Sequence, residues 1–541
     1  QGKRRTPESP GSSLFSLPAP TMNGMARKTR DGADKVAAPQ AMRISQETFD
    51  DAVKENMDDF SMERVEAIAD AISQFEMQGI DISNIVTSTS NLNGGEDPLA
   101  AAVKRLVAAS KVEDAEGASA ACAEMDLIYK TLSEAEAVAE GKLMVGNAGA
   151  IEAALAVLDT HPRSSETVLT ALKFITALTT KADVNKARLS EPKDDPRAPA
   201  ILIKVLDALP SDAVVMEAAW RLIKSGVTKS ECFKGGFMKE GGHRVILSAL
   251  STHLDSSPIM LEVSGAMYSL MNADDLTTVF SSVFETAKAL AKGGVLPLMY
   301  AALRRHEHDP KVLRELLAAL KGSAVQDDIV REILSDVGLP LVLGVLKTHI
   351  EDTGVVSRGM LLLASLAEND EAKKALCQGE ALPLIFTAMQ MHARDSVVVR
   401  CGFSAIAAMA LRMPDNCDTM MAAGVGPLII ESMRSHPGSS ELQRQAMIAV
   451  RNIVVRRQDF CAPLREEGVE ELVQTPTPRI STPETRNPGT VKPELLRAPA
   501  GACGGLREEG VQPRTRNPKP DPRKSQTPNL TTPESRKPKL L

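Results

Sequence analysis

Apolar residues recur along the middle of this chain at helical spacing. VVVRCGFSAIAAMAL and LQRQAMIAVRNIV place them three and four residues apart, as an amphipathic helix requires. Such stretches belong to a longer period. The segments NAGAIEAALAVL, EGGHRVILSAL, KGGVLPLMYAAL, DVGLPLVLGVL, GEALPLIFTAM, AGVGPLIIESM and EGVEELV are variants of one another. Their anchors are Gly149, Gly242, Gly294, Gly338, Glu380, Gly424 and Gly468, and the last five lie 44, 42, 44 and 44 residues apart. The 93 residues between Gly149 and Gly242 hold a weaker copy near Pro199. The 52 between Gly242 and Gly294 imply an insertion around Asp274–Thr286, a longer loop or an extra helix.

Each copy predicts the same three elements. A short helix ends at glycine, which tolerates a left-handed cap. A second helix follows with proline in its first turn, as at Pro297, Pro340, Pro383 and Pro427. After a polar turn comes a longer helix rich in Ala and Leu. One unit cannot bury its own apolar face, so neighbours must stack into an all-α solenoid. Helix is expected throughout residues 45–473, with almost no strand.

Composition sharpens this picture at the ends. Residues 475–541 contain thirteen prolines and repeat themselves: LREEGV occurs twice, and STPETRNP is echoed by TTPESRKP. That is either low complexity or a translated intergenic repeat. Residues 1–40 carry a net charge of +4 and residues 475–541 a net +7, leaving −18 for the residues between. Both tails read as disordered and basic. They could touch nucleic acid or acidic proteins, but the acidic body makes nucleic acid an unfavourable main partner. Lys3, Arg4 and Arg5 run into Pro- and Ser-rich sequence rather than the apolar core of a signal peptide. No apolar run approaches the roughly 20 residues of a membrane span. Seven cysteines without a CxxC pair suggest a reduced, cytoplasmic protein, with the nucleus as a further location.

The period of 42–44 residues, with G-x-x-P-L and a long Ala-rich third helix, resembles the armadillo repeat. Arg43–Val86 and Met413–Val454 go further and look like the armadillo repeat-containing protein 6 family; the resemblance covers roughly residues 43–473. It implies a right-handed superhelical solenoid with disordered N- and C-terminal tails. Residues 1–42 would be a basic tail, 43–140 an N-terminal helical segment and cap, 141–473 about eight repeats with the last truncated, and 474–541 a Pro-rich tail. It also implies binding rather than catalysis. The reading is a non-enzymatic scaffold for a protein or peptide, without cofactor, metal, small-molecule substrate or membrane. The alternative is a nuclear transport adaptor-like peptide binder.

In armadillo proteins that bind extended peptides, a Trp and an Asn four residues later recur along the third helices. Mapped here the pair becomes Lys173 and Ala177, Trp220 and Lys224, Tyr268 and Asn272, Ala318 and Gly322, Leu361 and Ser365, Ser404 and Ala408, Ile448 and Asn452. The ladder is thin, which weighs against the adaptor. It leaves Trp220, Lys224, Tyr268 and Asn272 as a candidate binding patch, with Asn452 as a further position. Equally, both rings could pack the groove wall.

Histidine supplies a second pattern. His161, His253, His306, His349, His392 and His436 follow their anchors by 11 or 12 residues, where the second helix ends. There an imidazole can cap exposed carbonyls. Successive repeats hold these side chains too far apart to share a metal ion, and the HEH of His306–His308 is not HExxH. No GxSxG, P-loop or GxGxxG is present, and Cys377 and Cys401 sit on apolar helices as core. Because Thr475–Pro478 follow the last repeat at once, Ala446, Ala449, Val450 and Ile453, with Cys461 and Leu464, are expected near water.

Overall fold

The computed structural model describes residues 44–466 and 468, except 61, 83–84, 86–97, 135–137, 194 and 276–280. Among the described residues there is no β-strand. Helices α1 (Gln46–Phe60) and α2 (Arg64–Met77) pair around a small core of Phe49, Val53, Ala67, Ile68, Ala71 and Ile85. Asn56 ties them by donating to the Ala67 carbonyl at 3.2 Å.

Beyond them the chain is one stack. Helices α3 (Pro98–Ala109) and α4 (Ala115–Glu134) lead it, and seven three-helix units follow. The first is α5 (Val138–Asn147), α6 (Ala150–Thr160) and α7 (Ser165–Thr179); the second is α8 (Asp183–Arg188), α9 (Arg197–Ala208) and α10 (Ala213–Val227). The third is α11 (Glu231–Lys239), α12 (Gly242–Thr252) and α13 (Ser257–Leu270); the fourth is α14 (Val283–Lys292), α15 (Val295–Arg305) and α16 (Pro310–Ser323). The fifth is α17 (Asp327–Ile333), α18 (Gly338–Thr348) and α19 (Thr353–Leu366); the sixth is α20 (Asp370–Gln378), α21 (Ala381–Met391) and α22 (Ser396–Ala410). The seventh is α23 (Pro414–Ala422), α24 (Val425–Ser435) and α25 (Ser440–Val454), followed by a 3-10 turn (Gln458–Phe460) and α26 (Cys461–Glu466).

Every third helix packs on the third helices of its neighbours, in an unbroken series from α4 to α25. The second helices do the same from α3 to α18. One hydrophobic core therefore runs from Ala102 to Leu464, as a solenoid demands. The stack reaches below residue 141: α3 and α4 already pack on α6 and α7 in register. What the sequence left to a cap supplies the second and third helices of a leading unit.

Local chemistry sets the boundaries. Gly149, Gly294, Gly424 and Gly468 adopt positive φ, as their repeat position predicts. In the third unit the left-handed residue is Gly241, one before the sequence anchor, and α18 and α21 start instead from right-handed Val337 and Glu380. The third helices begin at side-chain caps. Asp212, Asp309 and Asp395 each accept from two backbone N–H groups, and Asp352 accepts from Val355 at 2.8 Å.

The insertion lies between α13 and α14. Twelve residues separate α13 from α14, where Thr228–Ser230 alone join α10 to α11. A buried ionic knot fastens it. Lys234, wholly buried on α11, donates to Glu231 at 2.9 Å, to Asp274 at 2.7 Å and to the Asn272 carbonyl at 2.7 Å. Glu231 in turn accepts from the Ser282 backbone at 3.0 Å.

The C-terminal end also departs from expectation. Ala446, Ala449, Val450, Ile453 and Leu464 are all buried. The 3-10 turn folds back on α25, Leu464 and Phe460 join the core, and Arg457 bonds Asp418 on α23 and Asp459. A short fold-back covers the apolar face without a full third helix.

Candidate functional site

Away from their own units, the third helices present a continuous surface. The caps Ser164, Asp212, Ser256, Asp309, Asp352, Asp395 and Ser439 define its register. Nine residues on from each cap, the stripe reads Lys173, Arg221, Gly265, Ala318, Leu361, Ser404 and Ile448. Four further on it reads Ala177, Ser225, Ser269, Gly322, Ser365, Ala408 and Asn452. The Trp/Asn mapping from sequence slipped by one residue on α10 and by three on α13.

That slip decides the fate of the candidate patch. Trp220 lies one residue before the stripe, level with Leu172, Leu317, Met360 and Phe403, and like them it is wholly buried. Its ring meets Phe237 edge-on, centroids 6.1 Å apart, and its Nε1–H finds no acceptor. Trp220 is core, not an exposed anchor. Lys224 lies across Gly265, which has no side chain to obstruct it, and pairs with Glu262 at 3.3 Å. Arg221 donates to the same carboxylate at 2.9 Å and to Glu217 at 2.5 Å. Those hydrogen bonds, Glu262 first, raise the Arg221 pKa above its ordinary value.

Tyr268 remains half-exposed, but it is not level with Trp220. The Arg358 guanidinium of α19 sits 5.1 Å from its ring centroid, two units away, in a cation–π contact across α16. Asn272 lies beyond the end of α13, where its carbonyl accepts from Lys234. Asn452 is buried and donates to the Ala407 carbonyl at 2.9 Å, so its amide serves the fold. Of the five candidates, Lys224 and Tyr268 face the groove.

The histidines occupy the predicted C-caps of the second helices. Five of their rings, however, reach the preceding unit rather than their own helix. His253 donates Nε2–H to the Pro210 carbonyl at 2.8 Å, and His306 to Leu254 at 2.7 Å. His349 donates to Glu307 at 2.6 Å, His392 to Ile350 at 2.7 Å and His436 to Ala393 at 2.8 Å. Each acceptor sits one residue past the preceding unit's equivalent position. The ladder stitches neighbouring units along one edge. His392→Ala should cost about 1 kcal/mol, since it removes the donor and leaves a partly buried carbonyl unpaired. Urea denaturation reads this directly, and an unchanged midpoint would show the ring to be ornamental.

Among the described residues no group of three His, Cys, Asp or Glu side chains could hold a metal. Burial pushes the Cys377 and Cys417 thiols up to about 11, so neither is a ready nucleophile. No single described helix is long and apolar enough to cross a membrane.

Residues 41–115 match the family model of the armadillo repeat-containing protein 6 N-terminal domain. Armadillo repeat-containing protein 6 of Homo sapiens is 24% identical over 55% of this chain and 58% of its own length. The homolog from Drosophila melanogaster is 26% identical over 55% of this chain and 61% of its own. This chain is similar to armadillo repeat-containing protein 6. The match spans about three-fifths of each of these relatives. A structure solved for the phosphorylation switch that controls the interaction between cadherin and beta-catenin superimposes with a TM-score of 0.48. That pair shares 15% identity over 76% of this chain and 70% of the other. A designed armadillo repeat protein gives 0.38 and 17% identity, over 45% of this chain and 95% of its own. The similarity to armadillo repeat-containing protein 6 of Homo sapiens runs over 300 residues, more than the N-terminal domain alone.

Proposed function

We propose that this chain is a non-enzymatic scaffold whose third-helix groove holds an extended segment of another protein. One observation carries the reading. On α7, α10, α19 and α22 the groove stripe is floored by small, partly exposed side chains, Ala177, Ser225, Ser365, Ser404 and Ala408. Long cationic side chains, among them Lys173, Arg221 and Arg358, stand beside them. A floor of this kind admits a backbone closely, and the long side chains can select what it carries. In register, the stripe holds one Asn and no aromatic, so an import-adaptor mode has less support than at first reading. The free thiols of the described cysteines accord with a reducing compartment, cytoplasmic or nuclear.

Photo-crosslinking tests the face. A benzoylphenylalanine at Ser404 should capture a partner that the same group at exposed Thr387, on second helix α21, does not. Equal capture from both positions would remove the groove from the reading.

A further inference from the structure

Resting on that groove reading, we propose that the stretch over α19 and α22 binds an extended peptide rich in carboxylate side chains, recognised by Arg358 and Arg400. The observation is a pair of arginines on this face that lack a carboxylate partner where other arginines of the face have one. Arg221 and Lys224 share Glu262; Arg314 pairs with Asp352 at 2.6 Å; Arg444 pairs with Glu441 at 2.8 Å. Arg358 and Arg400 have no carboxylate at ion-pair distance among the described residues. They stand on α19 and α22, neighbouring third helices that pack on one another. Nearby acids do not neutralise them. Arg400 feels Glu441, which is already committed to Arg444, and Glu368 stands exposed beyond the end of α19.

Arg221, Arg314 and Arg444 on this face have a carboxylate at ion-pair distance, and Arg358 and Arg400 do not. A carboxylate beside each guanidinium gains planar, charge-assisted hydrogen bonds. A basic segment would be repelled, and a neutral one would cover the cations without satisfying them. Arg358 waits on the Tyr268 ring, a weak contact that it can exchange for a stronger anion. Ala364, Ser365, Ser404 and Ala408 leave room for a backbone alongside. Third helices stand roughly 10 Å apart and an extended chain advances about 3.3 Å per residue, so carboxylates about three residues apart match successive units.

Fluorescence anisotropy with a labelled peptide of repeated Gly-Ser-Glu triplets tests this, beside Gly-Ser-Gln and Gly-Ser-Lys counterparts. The Glu peptide should bind most tightly. Arg358→Glu with Arg400→Glu should weaken it at least about tenfold, without changing the helical melt. Arg434→Glu, on second helix α24, should leave affinity within about twofold, the scale of a distant surface charge. The acidic assignment is overturned if the Lys peptide binds as tightly, or if the double variant binds the Glu peptide like the parent. If the Lys peptide binds and Ser404→Trp abolishes that binding, the groove reading survives and only the acidic assignment falls. If neither Ser404→Trp nor the double variant alters binding of any of the three peptides, both fall.

Discussion

Lys234→Met is expected to destabilise the chain by about 3–5 kcal/mol, the range for breaking one side of a buried ion pair. The ammonium is wholly buried and spends its three donors on Glu231, Asp274 and the Asn272 carbonyl. Methionine fills much of the same volume, so little of the loss is a cavity. What remains is two carboxylates, 8% and 16% exposed, facing each other without a cation. The loop after α13 then loses its anchor, since Glu231 also accepts from Ser281 and Ser282. Urea denaturation measures the loss. Replacing Glu231 and Asp274 by their amides in the same background should recover part of it, because the three groups act as one network. A loss below about 1 kcal/mol for Lys234→Met alone would show the knot to be incidental.

Nothing in the sequence pattern announced that knot. A lysine on a short polar helix reads as solvated, and only the packing of α11 against the end of α13 buries it. The solenoid, by contrast, was legible, because its cause is periodic. Prolines at 297, 340, 383 and 427 and apolar runs at helical spacing repeat with each unit, and stacking is the one way to bury them. The histidines were legible as positions but not as bonds. Each ring acts across about one repeat, a separation at which sequence shows recurrence but no partner. The groove register was recoverable in principle. Asp212, Asp309, Asp352 and Asp395 each stand three residues before a valine that starts the buried face. Counting from those caps, rather than from the glycines, places Arg221 and not Trp220 on the stripe. The second unit starts from Pro196 rather than a glycine, and the third from Gly241 rather than Gly242, so a count from the sequence anchors loses the register.

Trp220→Ala separates core from surface for the residue that sequence reading singled out. Removing the ring should cost about 3–5 kcal/mol, because it opens a large cavity beside Phe237 and the neighbouring third helices. Those helices are held by their own stacking and cannot collapse into the space. The protein that remains folded should bind a groove ligand with unchanged affinity, since no atom of Trp220 reaches the groove. Trp220→Phe gives a graded control. It keeps an aromatic ring against Phe237 and discards an indole N–H that is buried without an acceptor. Part of the lost packing is therefore offset, and the cost should fall well below that of alanine. Thermal melts and peptide anisotropy on the same samples decide the matter. If Trp220→Ala left the melting temperature in place and abolished binding, the ring would be a groove anchor and its place in the core would be wrong.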